Sequence, residues 1–252
     1  MTVPIDQAWA EATLLAIVRM TAFLFVAPPF SYNAFPARIK AMLGVGLGLA
    51  VSTRAHSVYT SQGDAAFITG LVLELATGLA LGFLVYLVFA AIQSAGSLVD
   101  LAAGFQMAQA YDPQSMVNGA QFARLTQMAA LALLFASDGY QLVIGGLTGS
   151  VAAIPLGGGF DLSRPVEVMT TATTGMFVSA VQIAGPLMAV LFLADVGLGL
   201  LTRVAPALNA FQLGFPLKVL ITLGLAGVMF LAIPRVVSAL AHESARLLLG
   251  VG

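Results

Sequence analysis

FITGLVLELATGLALGFLVYLVFAAIQSAGSLV, from Phe67 to Val99, is the longest apolar stretch of the chain, and Glu74 is its only charge. In an apolar setting the helix is the element that satisfies its own backbone, so this stretch predicts a helix. The same texture continues on both sides. Further apolar segments run from Ala8 to Phe30, Ala41 to Thr53, Leu125 to Ser137, Tyr140 to Ile154, Val168 to Ala194, Val196 to Leu201 and Val219 to Ile233. Turn signals separate them at Asn33–Pro36, Ser61–Asp64, Asp112–Pro113, Gly157–Pro165 and Ala205–Asn209. Pro28 and Pro29 are expected to end or kink the first segment.

Hydrophobic residues make up 60% of the 252 and charged ones 8%, where a soluble domain is nearer a quarter charged. A soluble fold of this length could not hide so much apolar surface. The expected class is all-α, a membrane-class bundle of short, kinked and broken helices. No linker rich in Ser, Pro or charge interrupts the chain, so residues 1–252 are read as one domain. The net charge of -1 leaves no basic patch to neutralise a run of phosphates, and nucleic acid is not an expected partner. With 0 cysteines there are no disulfides and no thiolate metal sites. Asp6 and Glu11 precede the first apolar run and no Lys or Arg comes before Arg19, so a signal peptide would lack its basic start and the first helix is expected to be retained.

Crossing a hydrocarbon core of about 30 Å takes about 20 apolar residues, so Ala41–Thr53 is too short to cross unaided. Arg38, Lys40 and Arg54 lie early and Arg203, Lys218, Arg235 and Arg246 late, which gives the positive-inside rule little to act on. Two kinds of cover fit this apolar surface: lipid, or neighbouring protein subunits that tolerate short and broken helices.

Gly70, Glu74, Gly78 and Gly82 recur at every fourth residue and form one stripe on a helix. Gly96, Asp100 and Gly104 repeat the spacing, and so do Asp195, Gly199 and Arg203. Glycine lets another backbone approach, and a carboxylate in an apolar setting is costly without a partner. Each stripe is therefore read as a helix contact line holding a buried, partnered charge, with Arg203 expected to pair with a carboxylate. With 26 glycines, some of this spacing arises by chance.

Gly104–Gly119 reads GFQMAQAYDPQSMVNG, where the helical pattern fails at Asp112 and Pro113. Met107, Tyr111 and Met116 suit a deformable seal at the mouth of a passage, or an ordinary connecting loop.

Catalysis finds no parts. His242 and Glu243 begin an HExxH-like string, but Arg246 stands where the second zinc ligand belongs, and Gly44, Gly46 and Gly48 lie inside an apolar helix, where they form no phosphate loop. No cofactor or metal is expected. A secondary transporter or channel coupled through Glu74, Asp100 and Asp195 is the rival reading; such proteins usually carry paired repeats, and no internal repeat is evident here.

Asp195–Lys218 reads DVGLGLLTRVAPALNAFQLGFPLK. It resembles the signature of the FliR family of type III export-gate subunits: an acid, small residues, Leu-Leu, Arg203, Ala205-Pro206, Asn209-x-Phe211, then Gly214-Phe215-Pro216-Leu217-Lys218. Glu74, Gly78, Gly82 and Phe83, then Ala95, Gly96 and Asp100, then Asp112 and Pro113, then Leu134, Phe135 and Gly139 match that family in order, and Arg19, Pro28, Pro36 and Arg38 fit its N-terminal part. Ala207 departs where Gln is usual, and Asp138 and Tyr140 where Asn and His are common.

The resemblance implies a fused FliP-like and FliQ-like architecture in a helical, largely non-bilayer hetero-oligomer with FliP and FliQ, in which one such chain closes the ring. FlhB and FlhA would lie nearby, unfolded exported proteins would pass through the centre, and membrane lipid would surround part of the assembly. The implied place is the bacterial inner membrane at the flagellar basal body, with a homologous virulence system as the alternative. The family's plug would correspond here to Gly104, Phe105, Met107, Tyr111, Asp112, Pro113 and Met116.

Overall fold

A computed structural model describes residues 6–32, 35–57, 59–61, 63–105, 121–157, 163–205, 213–227, 230–231 and 234. The described residues are all-helical and include no strand. The helices are α1 (Gln7–Val26), α2 (Ala37–His56), α3 (Asp64–Ala103), α4 (Gln121–Ala136), α5 (Gly139–Ala153), α6 (Ser163–Val204) and α7 (Leu213–Gly227). Asp6 caps α1 by accepting the Ala8 N–H at 3.1 Å, and α1 ends at Val26, just ahead of Pro28 and Pro29.

Two segment boundaries are corrected. The stretch read as thirteen residues, Ala41–Thr53, is a helix of 20, because Arg38, Lys40 and Arg54 are taken into its ends. Val168–Ala194 and Val196–Leu201 are parts of one 42-residue helix, α6. Asp195 does not interrupt it, since a charge on a helix surface leaves the backbone ladder intact. Pro165, read as part of a turn, falls in the first turn of α6, where its missing N–H has no ladder partner to lose.

By length and composition α1, α3 and the Met169–Val204 part of α6 are long and apolar enough to cross a membrane, and α4 and α5 reach that measure only when taken together. At 40 residues, α3 extends about 60 Å, roughly twice a hydrocarbon core.

The chain gathers into two compact units. The first draws on Met1–Leu87 and Ser137–Thr173, and α1 is its centre: Leu15, Ala16, Met20, Phe23 and Leu24 are all buried. The second draws on Val88–Ala136 and Thr174–Ala239, with Ile92, Val99, Phe122, Leu134, Leu187 and Leu191 in its core. In a lipid setting, burial of apolar side chains gains little over lipid contact, so close backbone approach and paired polar groups have to hold helices together.

Candidate functional site

Glu74 lies at the centre of the first unit. Arg19 on α1 meets it in a two-pronged ion pair, Nε to Oε2 at 2.5 Å and Nη2 to Oε1 at 2.9 Å, with side chains 0% and 3% exposed. The remaining guanidinium nitrogen, Nη1, donates to the carbonyls of Ser150 at 3.1 Å and Ile154 at 2.9 Å, the C-terminal end of α5. A cation there gives the Ile154 carbonyl a donor, gives the Ser150 carbonyl a second one beside the Ile154 N–H, and opposes the negative end of the helix dipole. Glu74 Oε1 also accepts the N–H of Gly157, whose φ of +65° suits glycine. One buried pair thus ties α1, α3, α5 and the turn after α5.

A second polar group stands beside it. Glu11, buried on α1, accepts from Gln7 Nε2 at 2.9 Å, Tyr59 Oη at 3.0 Å and Ser61 Oγ at 3.1 Å. Burial, then the hydrogen bond to Glu11 and its negative charge, push the Tyr59 phenol up to about 12. Tyr59 therefore stays protonated and donates, fixing the α2–α3 connection to α1.

In the second unit Asp100 is fully buried, and among the described residues it makes no ion pair. Its Oδ1 and Oδ2 accept the N–H groups of Phe122 at 3.0 Å and Ala123 at 2.8 Å, in the first turn of α4. Asp100 does from α3 what an N-cap residue does from within its own helix, and the positive end of the α4 dipole faces its charge. Immediately after it α3 ends in a Schellman turn: Gly104 has φ +78°, its N–H reaches the Leu101 carbonyl, and the Phe105 N–H reaches that of Asp100.

Asp195 differs from the expectation. Its partner is Lys218, with Nζ 2.6 Å from Oδ1, and the Asp195 side chain is 50% exposed. Lys218 also donates to the Ala102 carbonyl at 3.3 Å. Arg203 is exposed in the last turn of α6, and among the described residues it makes no ion pair with a carboxylate. The reading of Arg203 as a buried partner is therefore corrected within this chain. The physical reason is reach: α7 brings the Lys218 ammonium to Asp195, while Arg203 stands two turns further along α6.

The glycines separate the same way. A Cβ on Gly78 would strike the Arg19 carbonyl and lie 2.8 Å from the Ala22 methyl, and one on Gly82 would lie 3.0 Å from the Phe23 carbonyl, so this stripe seats α3 on α1. Gly70 meets only ordinary contact, 3.4 Å from Leu15. Gly96 seats α3 against Ala123 and Thr126 of α4. Gly199 has nothing within 4 Å, so the third stripe is not a contact line within the described chain.

Sequence reasoning missed Arg19 as Glu74's partner, Lys218 as Asp195's, the Glu11 cluster, and Gly44 with Gly48. Added Cβ atoms on that last pair would reach Thr21 Cα at 2.9 Å and Ile17 Cα at 2.8 Å on α1. Their fourfold spacing was visible; the spacing of Arg19 from Glu74 carried no signal. Of the plug candidates, Gly104 and Phe105 are described, whereas Met107, Tyr111, Asp112, Pro113 and Met116 lie outside the described residues, as do Pro206, Asn209 and Phe211 of the C-terminal motif. Gly214, Pro216 and Lys218 fall in the first turns of α7, and Gly214 packs 3.4 Å from Leu198 by its added Cβ.

Comparison with known proteins follows the same span. The chain is 30% identical over 220 residues to flagellar biosynthetic protein FliR of Escherichia coli (strain K12), covering 86% of this chain and 84% of that protein. It is 28% identical over 214 residues to FliR of Bacillus subtilis (strain 168), covering 84% and 83%, and 26% identical over 226 residues to surface presentation of antigens protein SpaR of Shigella sonnei, covering 86% and 87%. The family described as bacterial export proteins, family 1, matches residues 10–244, a span that takes in Glu11, Arg19, Glu74, Asp100, Asp195 and Lys218. The chain belongs to that family of bacterial export proteins.

Proposed function

We propose that this chain is a structural subunit of a flagellar type III export gate and acts as a single domain in the bacterial inner membrane at the flagellar basal body. It assembles with FliP and FliQ, near FlhB and FlhA, around a path for unfolded exported proteins. The observation that carries this reading is the family match across residues 10–244, together with similarity to FliR proteins over most of their length. SpaR similarity supports the homologous virulence-type system as the alternative setting. The many large apolar side chains left exposed, such as Phe192, Leu193, Leu220 and Leu231, support a chain covered by lipid and sister subunits.

The carboxylates support a structural role over ion coupling. Glu74 is occupied by Arg19, Asp100 by backbone N–H groups and Asp195 by Lys218. A coupling carboxylate has to release and rebind its ion; Glu74 and Asp100 are each held by buried partners inside the chain, and Asp195 is paired with Lys218 at the surface. The segment Gly104–Gly119 helps plug the closed passage in this proposal.

Co-expression with FliP and FliQ, followed by measurement of the mass and composition of the recovered particle, tests the reading. The expected result is one particle holding all three proteins. A chain that stays alone and moves a small solute by itself in vesicles overturns it. Deleting the segment between Gly104 and Gly119 should make the closed particle leak ions; unchanged permeability rejects the plug.

A further inference from the structure

α3 ends at Ala103, which leaves the carbonyls of its last turn, Asp100 to Ala103, without donors from within the helix. The turn that follows meets two of them: the Phe105 N–H reaches the carbonyl of Asp100 at 3.1 Å and the Gly104 N–H that of Leu101 at 3.3 Å. The Ala102 carbonyl is met from 116 residues away, by the Lys218 ammonium at 3.3 Å. Lys218 is held in turn by Asp195 of α6, with 2.6 Å between Nζ and Oδ1 and the lysine side chain 19% exposed. One turn earlier in α7, Phe215 lies beside the same spot, its Cδ2 3.8 Å from where a Gly104 Cβ would stand. All of these residues belong to the second unit. The first and last residues of the Asp195–Lys218 motif therefore meet each other, and the last one caps α3.

We propose that Lys218 is a positioning residue for the connection between α3 and α4, fixing from α7 the point where the chain leaves α3. The inference rests on the reading of Gly104–Gly119 as a plug and names what holds its root. An ammonium at a helix C-terminus opposes the negative end of the dipole, and a bond from a charged donor is stronger than a neutral one. Asp195 keeps the ammonium there, since its rotatable donors serve a carboxylate and a carbonyl at once. Asp100 carries the effect across. Its own carbonyl holds the Phe105 N–H, while its carboxylate holds the N–H groups of Phe122 and Ala123 at the start of α4. Exit and entry are thus tied to Asp100, in the same turn of helix that Lys218 caps. A neutral side chain at position 218 gives up the cap and leaves Asp195 without its cation, and α3 then frays back from Gly104 toward Asp100.

The test uses the full chain recovered with co-expressed FliP and FliQ. Lys218→Met keeps an unbranched stem and removes the charge. Hydrogen exchange in peptides covering Leu101–Phe105 should become about tenfold faster, the scale of one lost hydrogen bond to a charged group, while the rest of α3 and α6 keeps its rate. In vesicles the closed particle should leak ions several-fold faster. Lys218→Arg should restore both, because its fork of donors reaches both acceptors. Asp195→Asn, which leaves the bond to Ala102 in place, should fall between. Unchanged exchange at the end of α3, faster exchange spread evenly along α3 and α6, or no rescue by arginine overturns the proposal. A parallel deletion of residues 106–120 keeps the two readings apart. A deletion that leaves the particle sealed strikes the plug reading, whereas a leaking deletion beside a sealed Lys218→Met strikes this proposal alone.

Discussion

Glu74 and Asp195 each sit on a long apolar helix with a glycine four residues onward, yet Glu74 is sealed inside the first unit while Asp195 stands half exposed on α6. Around Glu74 the helices approach closely: Gly78 and Gly82 press on the backbone of α1, and Arg19 arrives with two prongs on the carboxylate and one nitrogen left for the end of α5. Around Asp195 the glycine four residues on, Gly199, leaves open space where a Cβ would stand, and a single flexible lysine supplies the counter-charge. Asp100 lies between these cases, buried like Glu74 but neutralised by a helix terminus. The same local pattern therefore marks a keystone in one place and an open surface in another, and what differs is whether a second helix presses its backbone onto the glycines of the stripe.

The largest expected effect comes from Arg19→Ala, which leaves the Glu74 carboxylate buried without a counter-charge and should cost about 3–5 kcal/mol. Thermal unfolding in detergent measures it. A double variant, Arg19→Met with Glu74→Leu, should regain much of that loss, because removing both charges removes the unpaired one; no regain would show that the links from Arg19 to α5 carry the stability.

Asp100→Ala should cost about 2 kcal/mol through loss of the α4 cap, and Asp100→Asn should keep part of it. Hydrogen exchange at the first turn of α4 is the measurement, since uncapping frays that end first. Gly78→Ala should destabilise by about 1–3 kcal/mol despite alanine's better helix propensity, because its methyl meets the Arg19 carbonyl. Gly199→Ala, in open space, should stabilise by up to about 1 kcal/mol. Equal effects at the two glycines would dissolve the comparison.

Asp195→Ala should cost less than about 1 kcal/mol and grow less costly in salt, as for other solvent-reached pairs. The smallest effect belongs to Tyr59. Its folded value of about 12 exceeds the ordinary 10.0 of a tyrosine phenol, so its contribution is complete below about pH 10 and fades as pH rises toward 12. Tyr59→Phe should remove that fade from a pH series of melting temperatures.

Helical class and membrane character were legible from composition and from Phe67–Val99, because apolar backbone has few ways to satisfy itself. Glycine stripes gave the contact lines of α3 on α1 and on α4, since fourfold spacing is a local property of a helix. The partners of the charges were not legible. Arg19 and Glu74 lie 55 residues apart, and Asp100's partners are backbone groups common to every residue type. Arg203 lies two turns from Asp195 along the same helix, yet the cation that reaches Asp195 is Lys218 of α7. Sequence by itself determined which segments are helical and where backbones are able to meet. Only the tertiary structure decided which charge meets which, which glycines are covered, and that Lys40 turns inward while Arg38 and Arg54 face out. The reason is that helix formation depends on neighbours along the chain, and charge pairing on neighbours in space.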